Sequence, residues 1–441
     1  MAASTVELIV LTKGPEAGPQ TFSEYVAEGG YDALKRALAG SPQDVLDVIV
    51  ASGLRGRGGA GFPTGQKWTF AATEPGDTKY VVANGGEDEP GSLKDRAVME
   101  NYPHKLLEGV ILAAYAVGAS EAYLYVNSLY TEAISQLENA IAEASAQGLL
   151  GTGLGRDGFS LAVRLQPASQ EYVAGEDTAA LEVIEGKRPL PREKPPFPTA
   201  AGLFGKPTVV NNIETFAYVP SIVRRGAEWF RSHGTADNPG TMLFTLPSNV
   251  RKPGVVELLV GVSLRELIEV HGGGLASGKA VKAVLPGGPS SGFLSADDLD
   301  VAMDRQPLIE KGSALGCGVL RIVEDDQCIV EVADEIAQFF AKESCGQCPQ
   351  CVMETSLFGR ILGAVQKGSA AAPMLEQIAK VGAFSKGKGF CSLIAMPVPP
   401  LTSALRVFPG DFAYHIEHHG CRYGGRGSGV GGQGSGGAGA G

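Results

Sequence analysis

Cys345, Cys348 and Cys351 follow one another as C-x2-C-x2-C. No basic stretch precedes a signal-like apolar run at Met1–Lys13, and the other cysteines are scattered. Thiols packed this tightly in such a chain are expected to be metal ligands rather than disulfide partners. A two-cluster ferredoxin would supply its next cysteine within a few residues, followed by proline. Here Val352-Met353-Glu354-Thr355 follow instead, so a fourth ligand has to come from far along the chain. Cys391, ending Lys386-Gly387-Lys388-Gly389-Phe390-Cys391, is the best placed. Four thiolates from two segments suit one 4Fe–4S cluster. They suit a structural Zn(Cys)4 less well, because its usual signature is a pair of C-x-x-C motifs.

A second chemical feature is the glycine run from Gly53 to Gly65, with Gly56, Gly58, Gly59 and Gly61 around Arg57 and Ala60. It contains G-x-G-x-x-G, a weak signal alone. The helical pattern before it departs from a Rossmann fingerprint, which needs a strand there. Successive glycines allow several backbone N–H groups to share one concavity, and Arg55, Arg57 and Lys67 add positive charge. Such a nest suits a phosphate or nucleotide. A flexible surface loop is the plainer alternative, but Phe62, Trp68 and Phe70 supply stacking surfaces beside it.

These residues need elements to hold them. Ser41-Pro42 starts a helix ending near Gly53. From there to about residue 220, strand-like runs (79–82, 122–126, 161–165) alternate with helical ones (110–117, 131–146), as in a mostly parallel sheet with helices on both faces. Past Pro239-Gly240 three strand-like runs (241–246, 255–260, 281–285) and one helix (264–270) suggest a small β-rich unit. From Glu331 the pattern is helical, with the cysteine triplet in the turn between the first two helices and Cys391 after the third. Gly424–Gly441 is Gly/Ser-rich and is expected to be disordered. A length of 441 residues allows roughly two to four domains. A net charge of −11 argues against nucleic acid or an anionic membrane as the main partner. No run is long enough to span a bilayer, so a cytoplasmic location is expected, with any membrane link running through partners.

The string Ser52–Trp68 closely resembles the flavin loop of the NADH-binding flavoprotein (51 kDa, F-type) subunits of respiratory complex I. It is similar also to the diaphorase subunits of NAD-linked hydrogenases and formate dehydrogenases. Asn84–Gly91, Tyr172–Thr178, Lys194–Pro198, Pro207–Thr215 and the cysteine segments extend the resemblance from about Tyr25 to Ile416. It implies an α/β architecture: an N-terminal segment (1–40), a Rossmann-like FMN/NADH domain (41–237), a ubiquitin-like β-grasp domain of the soluble-ligand-binding (SLBB) type (238–328), a helical 4Fe–4S domain (329–420) and a tail (421–441). It implies FMN on Gly56, Arg57, Gly58, Gly59, Ala60, Gly61, Lys67, Asn84, Glu87, Gly175, Glu176, Asn211 and Asn212. NADH would lie on Phe62, Phe70 and Phe197, with Glu89, Tyr172, Asp177 and Lys194 near its polar parts. The cluster would sit on Cys345, Cys348, Cys351 and Cys391. The implied activity is NADH dehydrogenation, electrons passing through FMN and the 4Fe–4S cluster to a separate thioredoxin-like 2Fe–2S subunit and a larger redox complex.

Gly86 stands where that family carries aspartate, Asp177 where it carries glutamate, Ala174 where it carries cysteine, Val352 where it carries arginine, and Ile394 where it carries glycine. A second reading is therefore a relay or binding subunit of a hydrogenase, formate dehydrogenase or acyl-CoA reductase without NADH turnover. His415, His418 and His419 lack metalloprotease spacing and are expected at a solvated helix end. Cys317 and Cys328 lie in strand-like apolar contexts and are expected to be inert buried thiols. Cys421 has no evident role.

Overall fold

The computed structural model describes residues 7–13 and 18–424; the expected Gly/Ser-rich tail lies, from residue 425 on, outside the described residues. The first helices are Phe22–Ala27 (α1), Asp32–Ala39 (α2), Pro42–Ser52 (α3) and Thr64–Thr73 (α4). Local chemistry sets the start and stop of α3. Ser41 and Asp44 form a capping box, Pro42 occupies the first turn, and Gly53 ends the helix at φ 69°.

A five-stranded sheet follows in the order β3-β4-β2-β1-β5, built from Tyr80–Gly85 (β1), Glu121–Asn127 (β2), Gly151–Leu154 (β3), Phe159–Ala168 (β4) and Thr208–Asn212 (β5). β1, β2, β4 and β5 run parallel, and β3 is an antiparallel edge. Its helices are Lys94–Asn101 (α5), Pro103–Val117 (α6), Thr131–Ala146 (α7), Asp177–Ile184 (α8), Pro198–Ala201 (α9), Ile213–Arg225 (α10) and Ala227–Arg231 (α11). α6 is apolar on nearly every face and is buried along its whole length, so it forms the centre of the largest core.

The next region carries an antiparallel pair, Thr241–Leu246 (β6) with Gly254–Leu259 (β7). A three-stranded sheet, β10-β8-β9, is formed by Val281–Leu285 (β8), Leu294–Ser295 (β9) and Arg321–Glu324 (β10). The helix expected over 264–270 is shorter: Leu264–Glu266 (α12) gives way to a π-type turn at Leu267–His271. A further helix, Arg305–Glu310 (α13), has a polar pattern too brief to read as periodic. The remaining chain is helical: Ile329–Glu343 (α14), Pro349–Gln366 (α15), Ala372–Ser385 (α16), Val398–Val407 (α17) and Pro409–His418 (α18). Val332, Ile336 and Phe340 of α14 pack with Phe358, Ile361 and Leu362 of α15 in a second core. No described helix is long and apolar enough to cross a membrane.

α6 approaches α10 closely. A Cβ added to Gly109 would sit 2.1 Å from the Phe216 carbonyl oxygen. Gly109→Ala therefore forces the two helices apart where both are buried, and is expected to destabilise the fold by about 1–3 kcal/mol, as overpacking does. A denaturant melt of the variant checks this.

Candidate functional site

β1 and β5 are adjacent, yet the chain leaves β1 toward β2 and reaches β5 only after β4. Their carboxyl ends thus border the crevice at which open parallel sheets bind ligands. In register, Asn84 faces Asn212 there. Asn84 Nδ2 donates to the Gly175 carbonyl at 2.9 Å, and the Asn212 side chain caps α10 by accepting from Glu214 N at 3.0 Å. Trp68 Nε1 donates to Asn211 Oδ1 at 3.0 Å, and Lys67 Nζ donates to the Val210 carbonyl at 2.8 Å. Burial lowers the Lys67 pKa, with Asp177 opposing the shift.

The glycine run covers these strand ends. Gly56 N–H donates to Phe62 O at 2.9 Å and Thr64 N–H to Leu54 O at 2.8 Å, which closes the loop on itself. A Cβ on Gly58 would meet Asn212 Cβ at 3.0 Å, and Gly59 has φ +106°, so both positions need glycine. Arg57 departs from the expected phosphate role. Its backbone N–H donates to Thr215 Oγ1 at 2.9 Å, and its buried guanidinium to Asn238 Oδ1 at 2.7 Å and Pro239 O at 2.8 Å. It is a strut from the loop to the start of β6. Arg55 is likewise spent on Asp237 O and Gly61 O, while Arg305 reaches in to Ala60 O at 2.9 Å.

Glu87 is also committed inward. Its carboxylate accepts from Ser92 Oγ (2.5 Å) and from the backbone N–H groups of Asp95 (3.0 Å) and Arg96 (2.9 Å) at the start of α5. Burial, helped by Asp95, pushes it up to about 7. Burial likewise raises Asp88 and Glu89 to about 7, and Asp88 Oδ2 is buried without a partner. Tyr172 OH donates to Glu89 Oε2 at 2.6 Å. Gly175 lies so close to the strand end that a Cβ on it would be 2.8 Å from Gly86 O. Glu176 caps α8 through Thr178 N and Ala179 N, both at 2.9 Å, and Lys194 Nζ bridges Glu176 (2.5 Å) and Asp177 (2.7 Å). Burial drives Glu176 up to about 7; Asp177 is held low despite burial by its hydrogen bonds with Glu176 and Lys194. The rings of Phe62, Phe70 and Phe197 remain 42, 46 and 58% exposed, so their faces are open to a flat partner.

Cys345, Cys348, Cys351 and Cys391 all line one concavity with Pro191, Ser344, Gln347, Phe390 and Ile394. Cys348 is the N-cap of α15 and Cys351 lies in its first turn, so the triplet runs into the helix rather than staying in the interhelical turn. Ser344 Oγ lies 3.5 Å from Cys351 Sγ, and Phe390 N–H points at Cys348 Sγ at 3.5 Å. Burial raises the Cys391 thiol to about 12, and the charges of Glu176, Cys351 and Cys345 act in the same direction. The concavity adjoins the strand-end site. Gln347 Nε2 donates to Pro191 O at 2.7 Å, and the Tyr172 ring packs edge-on against Phe339 of α14 at 5.1 Å.

Three features of the site escaped the sequence reading. Lys94 is buried, bonded to Asp95 (2.8 Å), Glu214 (3.1 Å) and Asn212 (3.1 Å), and those carboxylates hold its ammonium charged against burial. Gly288 packs on Glu89: a Cβ there would meet Glu89 Oε1 at 2.9 Å. Cys317, in a loop rather than a strand, is half-buried, and its desolvation raises its pKa, with Glu89 adding to the shift. The paired glycines around 287–288 and 316–318 were the available signal.

With this geometry in hand, comparison with known proteins gives concordant matches. Residues 49–221 match the Nuo51 FMN-binding domain, and residues 331–415 match the NADH-ubiquinone oxidoreductase-F iron-sulfur binding region. The F 2 subunit of NADH-quinone oxidoreductase in Rhizobium meliloti (strain 1021) is 44% identical over 91% of this chain and 96% of its own length. The HndC subunit of the NADP-reducing hydrogenase in Solidesulfovibrio fructosivorans is 39% identical over 96% of this chain and 86% of its own. Among solved structures, an NAD+-reducing NiFe-hydrogenase in the H2-reduced state superposes with a TM-score of 0.79 at 31% identity, over 92% of this chain and 67% of that one. The chain belongs to the family of F-type NADH-quinone oxidoreductase subunits, which are flavoproteins with an FMN-binding domain and a 4Fe–4S region.

Proposed function

We propose that this chain admits electrons to a larger redox complex, oxidising NADH at the strand-end crevice and passing the electrons out through the cysteine quartet. It is an NADH oxidoreductase flavoprotein using FMN and a 4Fe–4S cluster. The observation that carries the reading is the wall shared by the two sites: the 172–194 segment bonds the strand ends through Gly175 and the cysteine loop through Pro191. The residues fit the two groups. A Cβ on Gly58 would press on Asn212 at the strand end, Asp88 Oδ2 just after β1 is an orphaned buried acceptor, and four thiols converge on one hollow.

When bound, FMN takes a hydride from the nicotinamide and releases single electrons to the cluster; this chemistry belongs to the cofactors. The protein positions and insulates. We assign Gly56, Gly58, Gly59, Ala60 and Gly61 to the flavin's phosphate side, with Arg57 bracing the loop from behind. Lys67, spending one of its three N–H donors on Val210 O, keeps the others for the flavin. Asn84, Asn211, Asn212, Gly175 and Glu176 form its floor, and Glu87 supports that floor by anchoring α5. Phe62, Phe70 and Phe197 would hold the adenine by stacking. Glu89, Tyr172, Asp177 and Lys194 would meet the dinucleotide's polar groups. Cys345, Cys348, Cys351 and Cys391 would ligate the cluster. The strands from Thr241 to Glu324 are assigned to the ubiquitin-like, SLBB-type unit, and α14–α18 to the cluster-bearing bundle. The relatives' names, subunits of quinone oxidoreductases and hydrogenases, support redox partners; a thioredoxin-like 2Fe–2S subunit is the immediate one proposed.

The deciding experiment is an anaerobic absorption spectrum of the purified protein titrated with NADH. Flavin and iron–sulfur bands should both bleach; flavin that stays oxidised would favour the relay reading. Phe62→Ala should raise the KM for NADH about five- to tenfold, the worth of one aromatic contact, with flavin content unchanged. Steady-state kinetics beside a flavin count will check it. The acidic strand end also predicts a pH dependence. Asp88 and Glu89 have folded-state pKa values raised to about 7, so their stabilising contribution is complete below the ordinary carboxyl range and is lost as the pH rises through about 7. The melting temperature of flavin-free protein should fall between about pH 5 and pH 8, and Glu89→Gln should flatten that fall.

A further inference from the structure

A second group of metal-ligating side chains lies away from the cysteine quartet. Cys328 is the N-cap of α14, His415 lies in the last turns of α18, and Cys421 follows that helix. Cys345 comes just after the other end of α14, a 15-residue helix and therefore about 22 Å long. The ligating atoms of Cys328, His415 and Cys421 all lie within 4.8 Å of one another, with Cys328 Sγ 3.2 Å from His415 Nε2.

The histidine is oriented from behind. His415 Nδ1 is 3.2 Å from the Val365 carbonyl oxygen, which can only accept, so the ring proton sits on Nδ1 and the Nε2 lone pair faces the sulfur. That is how proteins fix a metal-binding imidazole. The backbone N–H groups of Val330 and Glu331, at the start of α14, lie within hydrogen-bond reach of Cys328 Sγ. Asp411 is not a ligand: it is spent on Lys282 Nζ (2.6 Å), Ile329 N (3.2 Å) and Arg422 Nη2 (3.1 Å), bonds that hold the three segments in place. His415 is 1% exposed, so the solvated helix end expected for it is wrong. Within residues 421–424, assigned from the sequence to the tail, Cys421 and Tyr423 are half-buried, with Tyr423 OH 2.9 Å from Lys282 Nζ.

We propose that Cys328, His415 and Cys421 form a zinc site that cross-links the start of α14 to the chain beyond α18. Two sulfurs and one imidazole nitrogen are a borderline-soft donor set suited to Zn2+ in tetrahedral geometry. Both thiols lose their protons to solvent on binding, so each ion taken up releases two protons while the imidazole stays neutral. Cys421 keeps partial exposure, which leaves the fourth position open to water.

The test uses the full-length holoprotein isolated anaerobically from zinc-replete growth, with zinc and iron counted by mass spectrometry and the zinc shell read by X-ray absorption. About one zinc per chain is expected, with two sulfurs near ~2.3 Å and a nitrogen near ~2.0 Å. His415→Ala and Cys421→Ser should each lower zinc about tenfold or more while iron and flavin stay at wild-type levels. A zinc content below about a tenth of the chain concentration overturns the proposal. So does a sulfur-only shell, which would put zinc in the cysteine quartet, or a Cys328–Cys421 disulfide found by peptide mapping. The absorption measurement needs only the wild-type protein, so a variant that fails to fold leaves the answer intact.

Discussion

The Lys94 ammonium, 1% exposed and shared between Asp95, Glu214 and Asn212, is the interaction on which the strand-end site depends. It joins the first turn of α5 to the first turn of α10, and between them lie the ends of β1 and β5. Asn212 is fixed on both sides, since its Nδ2 donates to Asp95 Oδ2 at 2.6 Å. Because Gly58 rests on Asn212 Cβ, the height of the glycine loop above the sheet follows from the position of this one cation. Charges buried so completely hold together only as a set: removing one partner strands the others, a loss of about 3–5 kcal/mol. Glu214 extends the set by accepting from Leu243 N at 2.8 Å, which carries the constraint into β6.

From that anchor the geometry runs outward to the cysteines. Glu87 ties the β1 end to α5, and Glu89, two residues on, accepts from Tyr172. Tyr172 packs on Phe339 and Phe340, so the ring is clamped between the acidic strand end and the helix that leads into Cys345. Its hydroxyl also lies 3.6 Å from Met396 Sδ, five residues after Cys391. Packed rings and the Tyr172–Glu89 hydrogen bond thus line the partition between the strand ends and the quartet. Packing of that kind keeps the two sites at a fixed separation.

The cysteine quartet, the glycine loop and the parallel sheet were legible because each rests on local chemistry: thiol spacing, glycine-rich turns, short apolar runs between helical ones. The helix start at Ser41-Pro42 was legible for the same reason. The misreadings share a cause, which is that side-chain direction depends on tertiary partners. Arg57 looks like a phosphate donor until Asn238 and Pro239 arrive from almost 200 residues away. Glu87 turns its carboxylate onto the N–H groups that α5 presents, a direction that spacing along the chain does not give. His415 shares its stretch of sequence with two other histidines, His418 and His419, and only the approach of Val365 and Cys328 distinguishes it. The family resemblance names residues for the site; it could not show which way each side chain turns.

The substitutions that separate this chain from its family at the strand end are absorbed by packing. A Cβ at Gly86 would meet the Tyr125 ring at 2.9 Å, so the space an aspartate would need is already taken by an aromatic side chain. With glycine there, Gly86 N–H donates to Asn84 Oδ1 at 3.1 Å while Asn84 Nδ2 holds Gly175 O, which joins β1 to the turn before α8. Asp177, one methylene shorter than glutamate, still reaches Lys194, because that lysine is drawn in by Glu176 as well. The acidic character that remains is concentrated in Asp88, Glu89 and Asp177. Position 86 thus gives up a carboxylate while Asp177 keeps one, and the shape of the strand end is left to glycine and asparagine.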